Sequence, residues 1–83
     1  MSDQAILAGI EAVAREHVGF SGELRPEMRL VEDLELDSLK ALTLAVEVEN
    51  RFRIKLEPVV EAEIATVGDL VAAVGNLLEN DGG

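Results

Sequence analysis

Residues 38–53 predict one helix with apolar side chains on two opposite sides. At about 100° per residue, the side expected to face a core carries Ala41, Leu44, Ala45, Val48 and Phe52. The other side carries Leu39, Leu42 and Val46, next to Thr43 and Asn50. A chain of 83 residues builds one small core and cannot bury both sides. We expect the stripe of Leu39, Leu42 and Val46 to be exposed, unless the preceding loop folds over it.

Three further segments predict helices. The first follows a cap at Ser2 or Asp3, stops at Gly19, and has an apolar stripe of Ile6, Ile10, Val13 and Ala14, continued by His17. Pro58 fits the first turn of a short helix over 58–64, with Val59, Val60 and Ile64 facing inward. A capping box from Thr66 to Asp69 opens the last helix, whose stripe is Leu70, Val71, Val74, Leu77 and Leu78.

Residues 20–36 follow neither the helical nor the strand period and contain Gly22 and Pro26. Apolar anchors predict an ordered loop, which at this length often includes a short helical turn: Phe20, Leu24, Met28, Leu30, Val31 and Leu34. The prediction is an all-α fold, a small four-helix bundle of three longer helices and one short helix. A long ordered loop joins its first two helices. We expect a single domain over residues 1–83, with 80–83 a disordered polar tail.

Composition narrows the classes of partner. Seventeen acidic and seven basic residues give a net charge of −10, so nucleic acid and anionic membranes are poor partners and basic protein surfaces are good ones. No cysteine is present, and no apolar run approaches the roughly 18 residues of a membrane span. We expect a cytoplasmic monomer.

The residues do not assemble a catalytic set. His17, the one histidine, fits a helix C-terminus favoured by the dipole, and no nucleophile elbow or phosphate-binding glycine loop occurs. Asp33, Glu35 and Asp37 mimic the start of a calcium loop, which then fails because Ser38 and Leu44 stand where glycine and glutamate are needed. We therefore expect neither an enzyme nor a metal site.

Ser38 falls where the loop becomes a helix. Serine and aspartate are both favoured at such a position, so Ser38 considered locally is a helix-opening residue. An anion attached there would also benefit from the free amides and dipole of the helix N-terminus.

The sequence Asp37-Ser38-Leu39, preceded by Glu32-Asp33-Leu34 and followed by a helix ending in Phe52, resembles acyl carrier proteins. The resemblance covers nearly the whole chain, including 30–34 and 64–70. It implies that a phosphopantetheinyl transferase attaches 4′-phosphopantetheine from coenzyme A to Ser38, between Asp37 and Leu39. The thiol of that group then holds acyl groups as thioesters, and such proteins shelter acyl chains between their helices.

The resemblance also implies partners, namely acyl-loading, condensing or acyl-transfer enzymes. The surface by which carriers of this family are recognised maps in this chain onto Leu39, Leu42, Val46, Glu47 and Glu49. Lys40 and Thr43 belong to the same face but stand where carriers of fatty-acid synthesis commonly have acidic residues, and Arg51, Arg53 and Lys55 add positive charge. Because charge complementarity governs partner choice, we interpret the chain as a discrete carrier of a specialised lipid or polyketide-type pathway.

Two alternatives stay open. An aminoacyl carrier would share the tether and the bundle, but such carriers usually have glycines before the serine, where this chain has Glu35-Leu36-Asp37. The second is an unmodified helical adaptor that docks partners through the apolar stripe.

Overall fold

The computed structural model describes residues 2–81, which form five helices. Their bounds are α1 Asp3–His17, α2 Leu30–Asp33, α3 Ser38–Phe52, α4 Pro58–Glu63 and α5 Val67–Asp81. Within this range there is no strand, and one isolated bridge joins Arg29 to Thr66. The predicted all-α bundle is confirmed, and the single turn of α2 lies inside the segment predicted as a loop.

Side-chain caps explain where the long helices begin. The Ser2 hydroxyl accepts a hydrogen bond from Ala5 N at 3.2 Å, and Asp37 Oδ1 accepts one from Lys40 N at 2.8 Å. At its other end α3 stops at Phe52, one residue before the predicted end, because Arg53 turns into the left-handed conformation with φ 55°.

The core lies where α3 and α5 each pack against α1. Its buried members include most of the predicted stripes, namely Ile6, Ile10, Val13 and Ala14 on α1, Leu44, Val48 and Phe52 on α3, and Leu70, Val71 and Val74 on α5. The other predicted members are only partly buried, namely Ala41, Ala45, Leu77 and Leu78, and His17 is exposed. Close packing of α1 on α3 needs a glycine, since a Cβ atom at Gly9 would lie 2.5 Å from Phe52 Cζ. The loop contributes Leu24, Leu30 and Leu34 to the same core.

Two valines expected to face inward do not. Val31 is 61% exposed because Leu30 and Leu34, on the other side of the α2 turn, fill the inward positions. Val59 is 73% exposed, and α4 as a whole has no buried residue, although Val60 and Ile64 pack partly against the core.

The C-terminal part of the described structure is helical. The helix α5 runs through Asp81, so residues 80 and 81 of the predicted polar tail are helical, while 82 and 83 lie outside the described residues. None of the five helices is long and apolar enough to cross a membrane.

Candidate functional site

Ser38 is the first residue of α3, and its side chain is exposed. The neighbouring Asp37 carboxylate is occupied as the cap of the helix. None of the side-chain hydrogen bonds within residues 2–81 uses the Ser38 hydroxyl. The hydroxyl is therefore available at the surface for reaction with another molecule.

The segment before Ser38 is anchored on both sides of a turn. Leu34 and Leu36 are buried, and between them Glu35 adopts a left-handed conformation with φ 52°. Leu36 N donates a hydrogen bond to Val31 O at 3.1 Å, which ties this turn to α2. Two buried anchors within four residues fix the place at which Ser38 is presented.

The second apolar stripe of α3 faces solvent, as predicted. Leu39 is 71% exposed, Leu42 59% and Val46 41%, so the loop does not fold over them. The stripe begins next to Ser38 and follows the helix for two turns. Exposed apolar side chains grouped on one helix face are typical of a protein-binding surface.

The polar residues predicted to share this face differ in their surroundings. Lys40 is exposed, and Thr43 Oγ1 donates to Leu39 O at 2.9 Å. Glu47 Oε1 lies 3.7 Å from His17 Nε2 at the end of α1. Glu49 Oε2 accepts a hydrogen bond from Leu56 N at 2.6 Å, which holds the connection from α3 to α4. The Glu49 carboxylate is thus engaged within the fold.

An apolar cavity of about 140 Å³ lies on the inner side of α3. Its lining comes from α2, α3, α4, α5 and their connections, and consists of Leu30, Val31, Leu36, Ala41, Leu44, Ala45, Leu56, Glu61, Ile64 and Leu70. Leu36 and Ala41 bring it close to the start of α3. Sequence periodicity did not indicate Leu36, Leu56 or Glu61 as lining residues, because Leu36 and Leu56 lie in connections and Glu61 is an exposed polar residue of the short helix α4.

No group of three or more His, Asp or Glu side chains that could hold a metal ion occurs in the part of the chain that the structure describes. Two acidic side chains near Ser38 each accept a hydrogen bond from a different part of the backbone. Asp37 caps α3, and Asp33 Oδ2 accepts a hydrogen bond from Arg29 N at 2.6 Å.

Comparisons with known proteins agree with this geometry. Residues 7–74 match the family described as phosphopantetheine attachment site. The chain is 36% identical over 81 residues to the meromycolate extension acyl carrier protein of Mycolicibacterium aurum, covering 96% of this chain and 84% of that protein. The protein of the same name from Mycobacterium tuberculosis is 34% identical over 82 residues, covering 98% and 71%. A solved structure from Mycobacterium tuberculosis, described as an acyl carrier protein, superposes with a TM-score of 0.71 at 32% identity, covering 89% and 95%.

A helical bundle that matches this family over most of its length defines a phosphopantetheine-binding protein. Within that class the chain belongs to the acyl carrier proteins. Such proteins are carriers rather than enzymes, their prosthetic group is 4′-phosphopantetheine, and they interact with a phosphopantetheinyl transferase and with acyl-handling enzymes. The exposed hydroxyl of Ser38 at the start of α3 has the chemistry that attachment of such a group requires.

Proposed function

We propose that Ser38 is the residue to which 4′-phosphopantetheine is attached. The observation that carries the proposal is the exposed, unbonded hydroxyl at the first position of α3, within Asp37-Ser38-Leu39. The first intrahelical hydrogen bond runs from Ala41 N to Asp37 O, so the amides of Ser38 and Leu39 precede the helical ladder. Amides at that position and the helix dipole favour a phosphodiester anion.

The attached group supplies the thiol that holds acyl chains as thioesters. The protein itself contributes three things: an exposed hydroxyl, a docking surface and shelter. We assign docking to Leu39, Leu42 and Val46 with Lys40, Thr43 and Glu47 around them, and we give Glu49 a structural role because it binds Leu56 N. The cavity behind α3 supports shelter of an acyl chain, at about 0.8 kcal/mol for each methylene buried.

The names of the relatives and two residues of α3 support a specialised pathway. Two similar proteins are named as carriers of meromycolate extension, which is a specialised lipid pathway. Lys40 and Thr43 stand on the docking surface where acidic residues are expected for carriers of general fatty-acid synthesis. We place this chain in specialised lipid synthesis. We propose that it is a single domain that acts as a monomer in the cytoplasm.

Intact-mass measurement tests the attachment. Incubation of the purified chain with coenzyme A and a promiscuous phosphopantetheinyl transferase should add one phosphopantetheine group. Ser38→Ala should abolish the addition while circular dichroism shows an unchanged helical content. Ser21→Ala, which removes another exposed serine, is the matched control and should be modified as fully as the wild type. Absence of the mass increase in the folded wild-type protein would overturn the proposal.

A further inference from the structure

Lys40 and Lys55 are the two lysines of the chain, and they differ in their distance from the proposed attachment residue. Lys40 is the third residue of α3 and Ser38 the first, so their backbone positions differ by about 3 Å along the helix axis. Lys55 follows the C-terminal end of α3, a helix about 22 Å long. The chain therefore has one lysine amine close to Ser38 and one far from it.

The side chain of Lys40 is exposed and borders an open hollow of about 250 Å³. Residues 18–21, which follow α1, and residues 33–35, which precede Ser38, form the rest of its lining. Asp33 and Glu35 are the acidic residues of this lining. Among the side chains of residues 2–81, neither these nor any other carboxylate has an oxygen within 4.0 Å of the Lys40 amine. The amine is thus reachable from solvent and is not held in an ion pair.

An acyl group carried at Ser38 would be a thioester on a flexible tether. A thioester is an acyl donor towards amines, and a short flexible tether presents its end to neighbouring groups at an effective concentration in the millimolar range. The 4′-phosphopantetheine arm is much longer than the gap between Ser38 and Lys40, so the thioester can fold back to this amine. A reaction within one molecule also avoids the entropic cost of bringing two molecules together.

We propose that Lys40 is an internal acyl acceptor, which takes the acyl group from the arm of the same molecule when no partner enzyme removes it. The unprotonated amine attacks the carbonyl carbon of the thioester. A carbon–nitrogen bond forms, the carbon–sulfur bond breaks, and the thiolate that leaves takes up the proton that the nitrogen loses. The products are an amide on Lys40 and the free thiol of the arm, and no further reactant is needed.

The modification changes the charge beside the attachment residue. An amide on Lys40 removes its positive charge and leaves Asp33 and Glu35 as the charged side chains of the hollow. A carrier that stays loaded for too long would thus be altered next to Ser38. The inference rests on the proposed attachment at Ser38 and adds a second modified residue to it.

The acetyl thioester provides the test. A promiscuous phosphopantetheinyl transferase with acetyl-coenzyme A loads the purified chain directly, and free acetyl-coenzyme A is then removed. After incubation, hydroxylamine cleaves thioesters but not amides, and peptide mass mapping locates the acetyl groups that remain. We expect one on Lys40. Its rate of formation should rise by about tenfold per pH unit between about pH 7 and pH 9, because the unprotonated fraction of an alkylamine rises by that factor. The rate constant should be the same at protein concentrations about tenfold apart, because the reaction occurs within one molecule.

Matched variants identify the acceptor. Lys40→Arg keeps the positive charge and removes the nucleophile, so the fully loaded variant should lose the hydroxylamine-resistant acetyl group. Lys55→Arg is the control, because Lys55 is also exposed, and should leave acetylation of Lys40 unchanged. Ser38→Ala mixed with free acetyl-coenzyme A at the concentration of the loaded protein gives the background between molecules. This background should be slower at Lys40 by about tenfold or more.

Three outcomes would overturn the inference: no resistant acetyl group on Lys40 of the loaded protein, equal acetylation of Lys40 and Lys55, or a rate constant that falls on dilution. Mass measurement before incubation reports on loading separately. Failure of loading would overturn the attachment at Ser38, whereas loading without transfer would overturn only the acceptor role of Lys40.

Discussion

Asp69 joins the loop before α5 to the first turn of that helix. Its Oδ2 accepts hydrogen bonds from Ala65 N at 3.0 Å and Thr66 N at 3.1 Å, and its own amide donates to Thr66 Oγ1 at 3.1 Å. This is the capping box that the sequence predicted. The hydrogen bond from Ala65 N, followed by that from Thr66 N, holds the pKa of Asp69 below its ordinary value of 3.8. The ionised carboxylate is therefore the form that stabilises the fold.

The lowered pKa of Asp69 gives a pH dependence with a definite sign. A folded-state pKa below the unfolded one contributes stability above the ordinary value of 3.8, and this contribution is lost as pH falls through the lower folded value. We expect Asp69→Asn to lower the melting temperature clearly near pH 7, with a smaller gap from wild type near pH 3. Asp3→Asn is the control, because Asp3 makes no side-chain hydrogen bond within residues 2–81. A gap for Asp69→Asn that is equal at both pH values would contradict this account.

The backbone conformation of Glu35 weakens one sequence argument about the kind of carrier. The absence of glycine before Ser38 was an argument against an aminoacyl carrier. Yet Glu35 adopts φ 52°, a conformation that glycine enters without steric penalty. A glycine at this position would fit the same turn. Glutamate or glycine here therefore gives the same backbone and does not distinguish an acyl carrier from an aminoacyl carrier. The distinction rests on the relatives, which are named as acyl carriers.

At the level of elements, substitution by alanine should have opposite effects on stability at two helical glycines. A Cβ at Gly9 of α1 would lie 2.5 Å from Phe52 Cζ, whereas one at Gly75 of α5 would lie 3.6 Å from Ile6 Cδ1, an ordinary contact. Alanine gains about 1 kcal/mol over glycine in a helix, but overpacking costs about 1–3 kcal/mol. Gly9→Ala should lower the free energy of unfolding and Gly75→Ala should raise it by up to about 1 kcal/mol, as measured by urea denaturation. Equal effects of the two substitutions would refute the close contact of α1 with α3.

The two sides of α3 can be separated by a pair of leucine substitutions. Leu42 is largely exposed and Leu44 is buried. Leu42→Asp should change stability by less than about 0.5 kcal/mol, while Leu44→Ala should cost about 2–5 kcal/mol. If the exposed stripe docks partners, Leu42→Asp should also slow turnover by an acyl-handling enzyme that accepts the wild-type protein. A large loss of stability in Leu42→Asp would show that this side chain belongs to the core.

Helix positions were predictable because each long helix has an apolar stripe with a 3.6-residue period and a capping residue at its start. The exposed stripe of α3 was predictable for the same reason, combined with the small size of the chain. Short elements were less so: the single turn of α2 has too few residues for a period, and this explains the wrong inward placement of Val31. The bond from Leu56 N to Glu49 could not be read from sequence because it depends on how the chain turns after Arg53.

At the scale of the whole molecule, charge limits stability. A net charge of −10 is held within a body whose longest dimension is 35 Å. The Debye length falls from about 30 Å at 0.01 M ionic strength to about 8 Å at 0.15 M, that is, from nearly the length of the molecule to a fraction of it. Added sodium chloride over this range should therefore raise the melting temperature, because it screens repulsion among carboxylates more than it weakens the few ion pairs. Lys55→Glu takes the net charge to −12 and removes an exposed cation from the connection after α3, so its melting temperature should depend more steeply on salt. A melting temperature that stays constant or falls with salt would mean that local attraction between the basic and acidic residues outweighs the repulsion across the molecule.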